Sequence, residues 1–176
     1  MQSAPVPDFP ELLRSATRSA LHLEMRDAYG VAEEAEEVGH FLRTGRPWTG
    51  ERAEANWKPW LDLVGEIVAR GVVVRRARIV SEPVTDYIRF EHAITAWNLR
   101  AGEDVRWLPR RRAVDLALPG ADFWLIDGRA VRFNLFSGDG AVVDPTYSED
   151  PAVTKLCADA FDAVWERATP HADYTV

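Results

Sequence analysis

Cysteine is almost missing from this sequence of 176 residues, with Cys157 as its one example. A single thiol excludes both an internal disulfide and a metal cluster built on cysteines. Cys157 falls in the helical apolar pattern of Leu156, Ala160, Phe161 and Val164, and no histidine is near it in the sequence. We therefore predict a buried structural thiol rather than a nucleophile.

Positive charge and long apolar runs are also scarce. Lysine and arginine number 21 against 28 aspartates and glutamates, which gives a net charge of -7. This balance argues against direct nucleic-acid binding, which requires a basic surface. No segment has the roughly 20 uncharged apolar residues of a membrane helix, and the N-terminus lacks the basic start and apolar centre of a signal peptide. We expect a cytoplasmic protein without membrane contact.

Metal-ligand spacings are missing too. The four histidines are dispersed, and no serine lies in a nucleophile elbow. The spacing of Asp122, Asp127, Asp139 and Asp144 matches no calcium loop, and each is explained by turn chemistry. We expect neither a metal nor a cofactor.

The sequence does contain enough apolar residues, 47%, for one substantial core. The first forty-odd residues are predicted to be helical, although the stretch HLEMRDAY from His22 to Tyr29 has no clear period. A third helix is predicted over 56–70, ended by Gly71, with Pro59 near its first turn or kinking it.

The pattern changes at Val72. A β-rich run, a helix ending at Gly102 and a second strand over 103–109 predict a βαβ unit with parallel strands. Strands over 122–126 and 130–136 flank Asp127-Gly128, a strong hairpin signal; a further strand and a helix over 150–168 follow. The predicted fold class is α/β: N-terminal helices, a βαβ unit, an antiparallel hairpin extension of a mixed sheet, and a C-terminal helix. We expect a single domain over 1–176, with a mostly helical part, 1–70, packed on the α/β part, 71–176.

One acid of the crossover helix stands out. Glu91 falls within an apolar stripe of that helix, and a buried carboxylate needs a partner. Arg76, Arg78 or Arg106 on adjacent strands could form a buried ion pair with it. Alternatively, Glu91 is a ligand-binding acid.

A cluster of arginines follows the second strand of the βαβ unit, at the edge where open α/β sheets bind ligands. It could bind a small anion, steer an acidic partner protein, or be a solvated loop. Together with polar residues of the crossover helix it forms the candidate binding surface. That surface comprises Arg106, Arg110, Arg111, Arg112, Asp86, Tyr87, Arg89, Glu91 and His92.

The segment 72–147 resembles one half of the phospholipase D-like fold, whose signature is His-x-Lys-x-x-x-x-Asp. The aspartate position matches Asp127, but Gly120 and Asp122 stand at the histidine and lysine positions. Gly120 cannot form a phospho-intermediate, and Asp122 would repel a phosphate. The resemblance implies the fold without the catalysis, and by analogy a homodimer.

A longer resemblance covers nearly the whole chain. The runs RARIVSEPVTDYIRFEH, AGEDVRWLPRR and LPGADFWLIDG, with HLEMRDAY upstream, are similar to a family of actinobacterial domains of unknown function. Its members are often encoded beside XRE-type helix-turn-helix regulators, which implies a protein partner of that type.

These observations favour a non-catalytic regulatory or accessory protein that acts through protein partners. The alternative is a small-molecule sensor or enzyme that binds a phosphate- or carboxylate-bearing ligand at the sheet edge, with Glu91 or His92 as acid or base. A closed pocket lined by Tyr87, Glu91 and Arg106 would favour the alternative, and a flat exposed arginine surface would favour the partner. A third hypothesis is direct DNA contact by the arginines.

Overall fold

A computed structural model describes residues 5–176. Within this range the chain forms five α-helices and a seven-stranded sheet. The helices are α1 (Phe9–Arg14), α2 (Ala35–Thr44), α3 (Gly50–Ala69), α4 (Asp86–Ala101) and α5 (Pro151–Arg167). The strands are β1 (Ser19–Glu24), β2 (Val73–Val80), β3 (Glu103–Pro109), β4 (Asp122–Ile126), β5 (Ala130–Phe136), β6 (Val142–Ser148) and β7 (Thr169–Pro170).

The sheet is mixed, with strand order β6-β5-β4-β1-β2-β3-β7. Strands β1, β2 and β3 are parallel, and the remaining pairs are antiparallel. The α/β class, the parallel β2–β3 pair, the hairpin extension and the C-terminal helix are confirmed.

The prediction of only helices in the first forty residues was wrong. Ser19–Glu24 forms β1, between β4 and β2 in the middle of the sheet. The sequence obscured it because two of its alternate positions are His22 and Glu24, which are polar yet face inward. The N-terminal part therefore supplies a central strand as well as helices.

Local signals explain the main helix boundaries. The hydroxyl of Thr85 caps α4 by accepting from the backbone N–H of Ile88 at 3.1 Å, and Gly102 ends the helix with a φ of 101°. Helix α3 begins at Gly50 rather than near residue 56, so Pro59 lies in its interior.

The hairpin between β4 and β5 turns at Asp127 and Gly128, both with positive φ. The Asp127 carboxylate accepts hydrogen bonds from the backbone N–H groups of Thr17, Arg18 and Ser19 at 2.8–3.2 Å. Asp127 therefore fastens the hairpin to the start of β1, and these contacts lower the pKa of its buried carboxyl although desolvation opposes them.

The two faces of the sheet have different chemistry. The face under α5 is apolar, with Leu23, Ala77, Phe123 and Leu125 packed against the helix, and Cys157 is buried there as predicted. The other face is covered by α1 to α4. Near α1 it is apolar, towards its centre the inward side chains are charged or polar, and under α4 a second apolar cluster contains Val80, Ile88, Val105 and Trp107. No helix within 5–176 is long and apolar enough to cross a membrane.

Candidate functional site

A pocket of about 690 Å³ lies between the polar face of the sheet and helices α2 to α4. This volume is in the usual range for a small-molecule site. Its lining combines aromatic rings with acids and arginines. The lining residues are Phe9, His22, Glu24, Tyr29, Val31, Glu33, Glu34, Glu37, Asn56, Trp57, Trp60, Arg76, Arg78, Tyr87, Phe90, Glu91, Ile94, Asn98, Asp122, Trp124, Arg132, Asn134, Phe136, Val142, Val143 and Pro145.

The strands supply this lining by simple alternation. Side chains two residues apart on a strand share a face, so His22 with Glu24, and Arg76 with Arg78, all point to the pocket side. The same rule brings Asp122 with Trp124 from β4 and Arg132 with Asn134 from β5. The pocket floor thus receives polar pairs from β1, β2 and β5, and Asp122 with the aromatic Trp124 from β4.

Glu24 is the centre of a buried ion network. One of its carboxylate oxygens contacts Arg76 at 2.6 Å and the other contacts Arg78 at 2.5 Å. Burial alone would raise the pKa of Glu24, but Arg78, Arg76 and His22 outweigh it and hold that pKa well below its usual value. Glu24 is therefore an anion in the folded protein.

His22 has an acceptor at each ring nitrogen. Its Nδ1 lies 2.9 Å from the carbonyl oxygen of Phe123, and its Nε2 lies 3.0 Å from Glu24. The ring also stacks on Trp124 with a centroid distance of 4.3 Å. The two polar contacts and the stacking fix the orientation of the ring.

Glu103 and Glu91 continue the network towards β3 and α4. Glu103 pairs with Arg76 at 2.9 Å and accepts from the Trp60 indole N–H at 2.6 Å. The Arg76 charge outweighs desolvation and lowers the pKa of Glu103. Glu91 pairs with Arg78 at 2.5 Å, so the predicted need of Glu91 for a partner is confirmed, with Arg78 as that partner.

Three further acids of the lining have neutral hydrogen-bond donors and, within residues 5–176, no cation within 4 Å. Glu34 accepts from the Tyr87 hydroxyl at 2.7 Å, Glu37 accepts from Asn56, and Asp122 accepts from Tyr29 and a backbone N–H. Burial raises the pKa of all three, and burial together with the nearby Glu91 raises that of Glu34 to about 7. A buried carboxylate without a cation is costly to ionise, so these groups are available to a ligand.

Unused polar atoms also occur in the lining. The side-chain oxygen of Asn98, the indole nitrogen of Trp57 and the Nε of Arg132 are buried without a hydrogen-bond partner. Buried polar groups are nearly always paired in folded proteins, so these three atoms of lining residues are candidates for hydrogen bonds to a ligand or to water.

The structure divides the predicted binding surface among five places. Tyr87 and Glu91 line the pocket. Arg106 lies on the opposite face of the sheet, because β3 alternates and Trp107 points to the α4 side; its guanidinium covers the Trp165 ring at 4.3 Å. Neither a pocket lined by Arg106 nor one flat arginine surface is therefore formed.

The remaining residues of that surface have separate environments. Arg110 donates to Met25, Ile79, Ser81 and Asp27, so it joins the ends of β1 and β2. The exposed members are Asp86, Arg89, Arg111 and Arg112.

His92 lies outside the pocket. Its Nε2 is 3.0 Å from the carbonyl oxygen of Tyr174, and its ring lies 4.4 Å from that of His171. It therefore belongs to the contact of α4 with the C-terminal segment, and this position does not suit an acid or base of the pocket.

The three positions of the phospholipase D-type motif lie in different environments in this chain. Gly120 is in the loop before β4, Asp122 lies in the pocket, and Asp127 holds the hairpin. The one matching residue of the motif therefore has a structural contact in this chain.

Sequence reasoning missed most of the pocket floor. Its signal was present as alternating polar residues in two strands, His22 with Glu24 and Arg76 with Arg78. An inward-facing polar pair on a central strand is unusual and marks a site. The roles of Trp57 and Asn98 had no comparable signal, because helices bring them to the sheet from elsewhere.

Sequence and structure comparisons agree with this fold. The family described as "Domain of unknown function (DUF6879)" matches residues 7–176. The chain belongs to the DUF6879 family. No curated protein matches this DUF6879 chain in sequence.

Two solved structures share the architecture of the DUF6879 chain. Nuc, a phospholipase D family member from Salmonella typhimurium, aligns with a TM-score of 0.52 and 10% identity over 92% of this chain and 86% of its own. NucT from Helicobacter pylori aligns with a TM-score of 0.53 and 9% identity over 92% and 87%. At these identities the likeness shows the phospholipase D-like fold alone.

Proposed function

We propose that this protein is a non-catalytic small-molecule sensor whose ligand binds in the pocket between the sheet and α2 to α4. The observation that carries this proposal is the set of buried, unpartnered polar atoms on Trp57, Asn98 and Arg132 at one cavity of ligand size.

The composition of the lining supports binding rather than catalysis. Among the described residues that line the pocket there is no serine, threonine, cysteine or lysine to act as a nucleophile. His22 and Glu24 contact each other and the two arginines, so the strongest acid–base pair is already occupied by protein contacts.

The output of such a sensor would be a protein contact. The family resemblance described above makes an XRE-type regulator of an actinobacterium the proposed partner, in a cytoplasmic setting. The exposed members of the predicted surface, Arg111 and Arg112 with Asp86 and Arg89, are the residues through which we propose this contact. Arg110 is excluded as a probe because its loss would disturb the fold.

Ligand-detected NMR with a fragment library of mixed charge tests the pocket. Val143 lines the pocket and is 41% exposed, so Val143→Trp adds bulk there without entering the core. Val114 is 81% exposed and is not a lining residue, so Val114→Trp is the matched control. We expect fragment signals that Val143→Trp removes and Val114→Trp retains. Fragments that bind neither protein, or both equally, would refute the pocket as a binding site.

The partner contact needs a separate test. Co-purification of a neighbouring XRE-type regulator should be lost in Arg111→Glu with Arg112→Glu and kept in Lys155→Glu, an exposed cation on α5. Retention of the regulator by the double variant would contradict this part of the proposal.

A further inference from the structure

The charge of the pocket lining is unbalanced. Six carboxylates face three guanidinium groups and one imidazole. The carboxylates are Glu24, Glu33, Glu34, Glu37, Glu91 and Asp122; the cations are Arg76, Arg78, Arg132 and His22. With all six acids ionised, the lining would have an excess of negative charge even beside a protonated His22.

The two central arginines are already engaged by the protein. The three guanidinium nitrogens of Arg76 contact Glu24 and Glu103, and those of Arg78 contact Glu24, Glu91 and Thr95. Both side chains are buried between these acids. An anionic ligand would have to displace a buried carboxylate to reach either arginine, and that would leave the carboxylate without its partner.

Three lining acids, in contrast, have no cation of their own. Glu34, Glu37 and Asp122 accept only from hydroxyl, amide or backbone donors, although each is at least partly buried. A ligand cation beside them would supply the missing countercharge.

An independent observation points to a hydrogen-bond donor on the ligand. Asn98 is 3% exposed, and its Nδ2 donates to Glu103 at 2.7 Å, which fixes the orientation of the amide. Its Oδ1 has no hydrogen-bond donor among the described residues, and Asn98 is a lining residue of the cavity. Nitrogen-bound hydrogens of a ligand would satisfy this oxygen.

Aromatic rings form much of the remaining wall. Trp57, Phe90 and Tyr87 come from the helical side, and Tyr29 and Phe136 from the side of β5. The Tyr29 and Tyr87 rings lie 5.9 Å apart, and Tyr29 also meets Phe136 at 5.0 Å. Electron-rich ring faces attract organic cations, most strongly where water is excluded.

We infer that the ligand of this pocket is an organic cation, a molecule with an amine or guanidine group attached to an apolar body. This inference rests on the proposed function. The acids without a cation would hold the charged group, Asn98 would accept one of its N–H groups, and the aromatic wall would contact the apolar body.

A preference for anionic ligands would depend on Arg132. It has no carboxylate within 4 Å, contacts Asn134, and covers the Phe9 ring at 5.0 Å. An anionic ligand would bind here, and Arg132→Met would then weaken it. For an organic cation the same substitution should leave the affinity unchanged or raise it, because it removes a like charge.

Shape-matched probes of different charge test the inference. Phenethylamine, 2-phenylethanol and phenylacetate share a phenyl ring and a short chain but are cationic, neutral and anionic; inorganic phosphate serves as a second anion. Titration by ligand-detected NMR should rank phenethylamine first, by about ten-fold over the alcohol, as expected for one charge-assisted contact. Glu34→Gln with Glu37→Gln, and separately Asp122→Asn, should each reduce that preference, while binding of 2-phenylethanol stays unchanged.

The possible outcomes distinguish the inference of a cationic ligand from the proposal that the pocket is a binding site. Stronger binding of phenylacetate or phosphate, weakened by Arg132→Met, would overturn the cation inference and keep the pocket as a binding site. Equal binding of the amine and the alcohol would also overturn it. Probes that bind with no sensitivity to Val143→Trp would overturn the proposed function itself. Thermal melting of each variant confirms that a loss of binding is not a loss of fold.

Discussion

The two faces of one sheet differ sharply in what they bury. On β1, Leu23 and its neighbours pack against α5 in an apolar core, whereas the adjacent His22 and Glu24 face the pocket. On β2 the same contrast separates Ala77 and Ile79 from Arg76 and Arg78. These two strands thus place mainly packing residues on one side of the sheet and charged residues on the other.

This contrast indicates why the polar face exists. A buried ion network stabilises a fold no better than well-packed apolar residues of similar size, because desolvation of the charges offsets their attraction. The apolar face shows that the chain can pack this sheet with hydrophobic residues. Charges on the other face are therefore better explained by ligand binding than by stability.

The largest expected effect comes from breaking the network on the polar face. Arg78→Met leaves Glu24 and Glu91 buried without their shared cation, so we expect a loss of about 3–5 kcal/mol in the free energy of unfolding. Urea denaturation at neutral pH measures it. Adding Glu91→Gln should recover part of the loss. A change below about 1 kcal/mol in the single variant would show that the network is solvated rather than buried.

A cavity on the apolar face should cost slightly less and behave differently. Leu23→Ala removes a fully buried side chain, with an expected loss of about 2–4 kcal/mol. Cys157 is the titrating member of the apolar cluster around Leu23, and burial raises the pKa of its thiol to about 12. The loss should therefore be equal at pH 5 and pH 8, and fragment binding should persist in the folded fraction. A loss that varied with pH would show that the two faces are coupled.

The pH dependence of stability should come from the polar face. Glu34 has a pKa raised by burial from 4.5 to about 7, so the folded state binds its proton more tightly than the unfolded chain. Stability from this group is complete below 4.5 and is lost as the pH rises through about 7. Glu34→Gln should remove this fall, by about 1 kcal/mol between pH 5 and 8 after solvent screening.

Urea unfolding of the two proteins across that range provides the measurement. Glu24 and Glu103, with lowered pKa values, act in a separate window, since their contribution is lost only at more acidic pH. Parallel curves for the wild-type chain and Glu34→Gln would contradict the buried position of Glu34.

The smallest change in stability is expected for substitutions that lie away from both faces of the sheet. Arg111 and Arg112 are exposed on the loop after β3, so Arg111→Glu with Arg112→Glu should change the free energy of unfolding by less than about 0.5 kcal/mol. Phenethylamine titration should be unaffected. A large loss of stability would show that this loop belongs to the fold, as Arg110 does.

The fold was largely predictable from the sequence because most of its elements are locally signalled. Asp127-Gly128 marks the hairpin, Thr85 and Gly102 bound α4, and the run after Val72 has a strand pattern. The missed element was β1, whose inward positions His22 and Glu24 violate the apolar rule that identifies strands. The same two polar side chains, His22 and Glu24, therefore hid β1 in the sequence and form part of the pocket floor.

The site itself was only partly predictable. A charged residue in an apolar stripe identified Glu91, and its ion pair followed from the neighbouring arginines. The arginine cluster led to a wrong prediction of one shared surface. Neighbouring positions in a sequence do not show which face of the sheet a strand residue occupies, or which loop residue forms hydrogen bonds with the fold. Arg106 and Arg110 were separated from Glu91 by tertiary geometry that no local pattern encodes.

The most direct measurement is the two-dimensional NMR spectrum of the seven tryptophan indole N–H groups during a phenethylamine titration. Trp57 and Trp60 line the pocket, and the Trp57 indole N–H has no acceptor within residues 5–176, whereas Trp165 is a buried residue of α5 on the opposite face. The account predicts that the Trp57 and Trp60 signals shift together with saturation and that the Trp165 signal does not move. Shifts confined to Trp165, or saturable binding without movement at Trp57 and Trp60, would contradict a ligand site on the polar face.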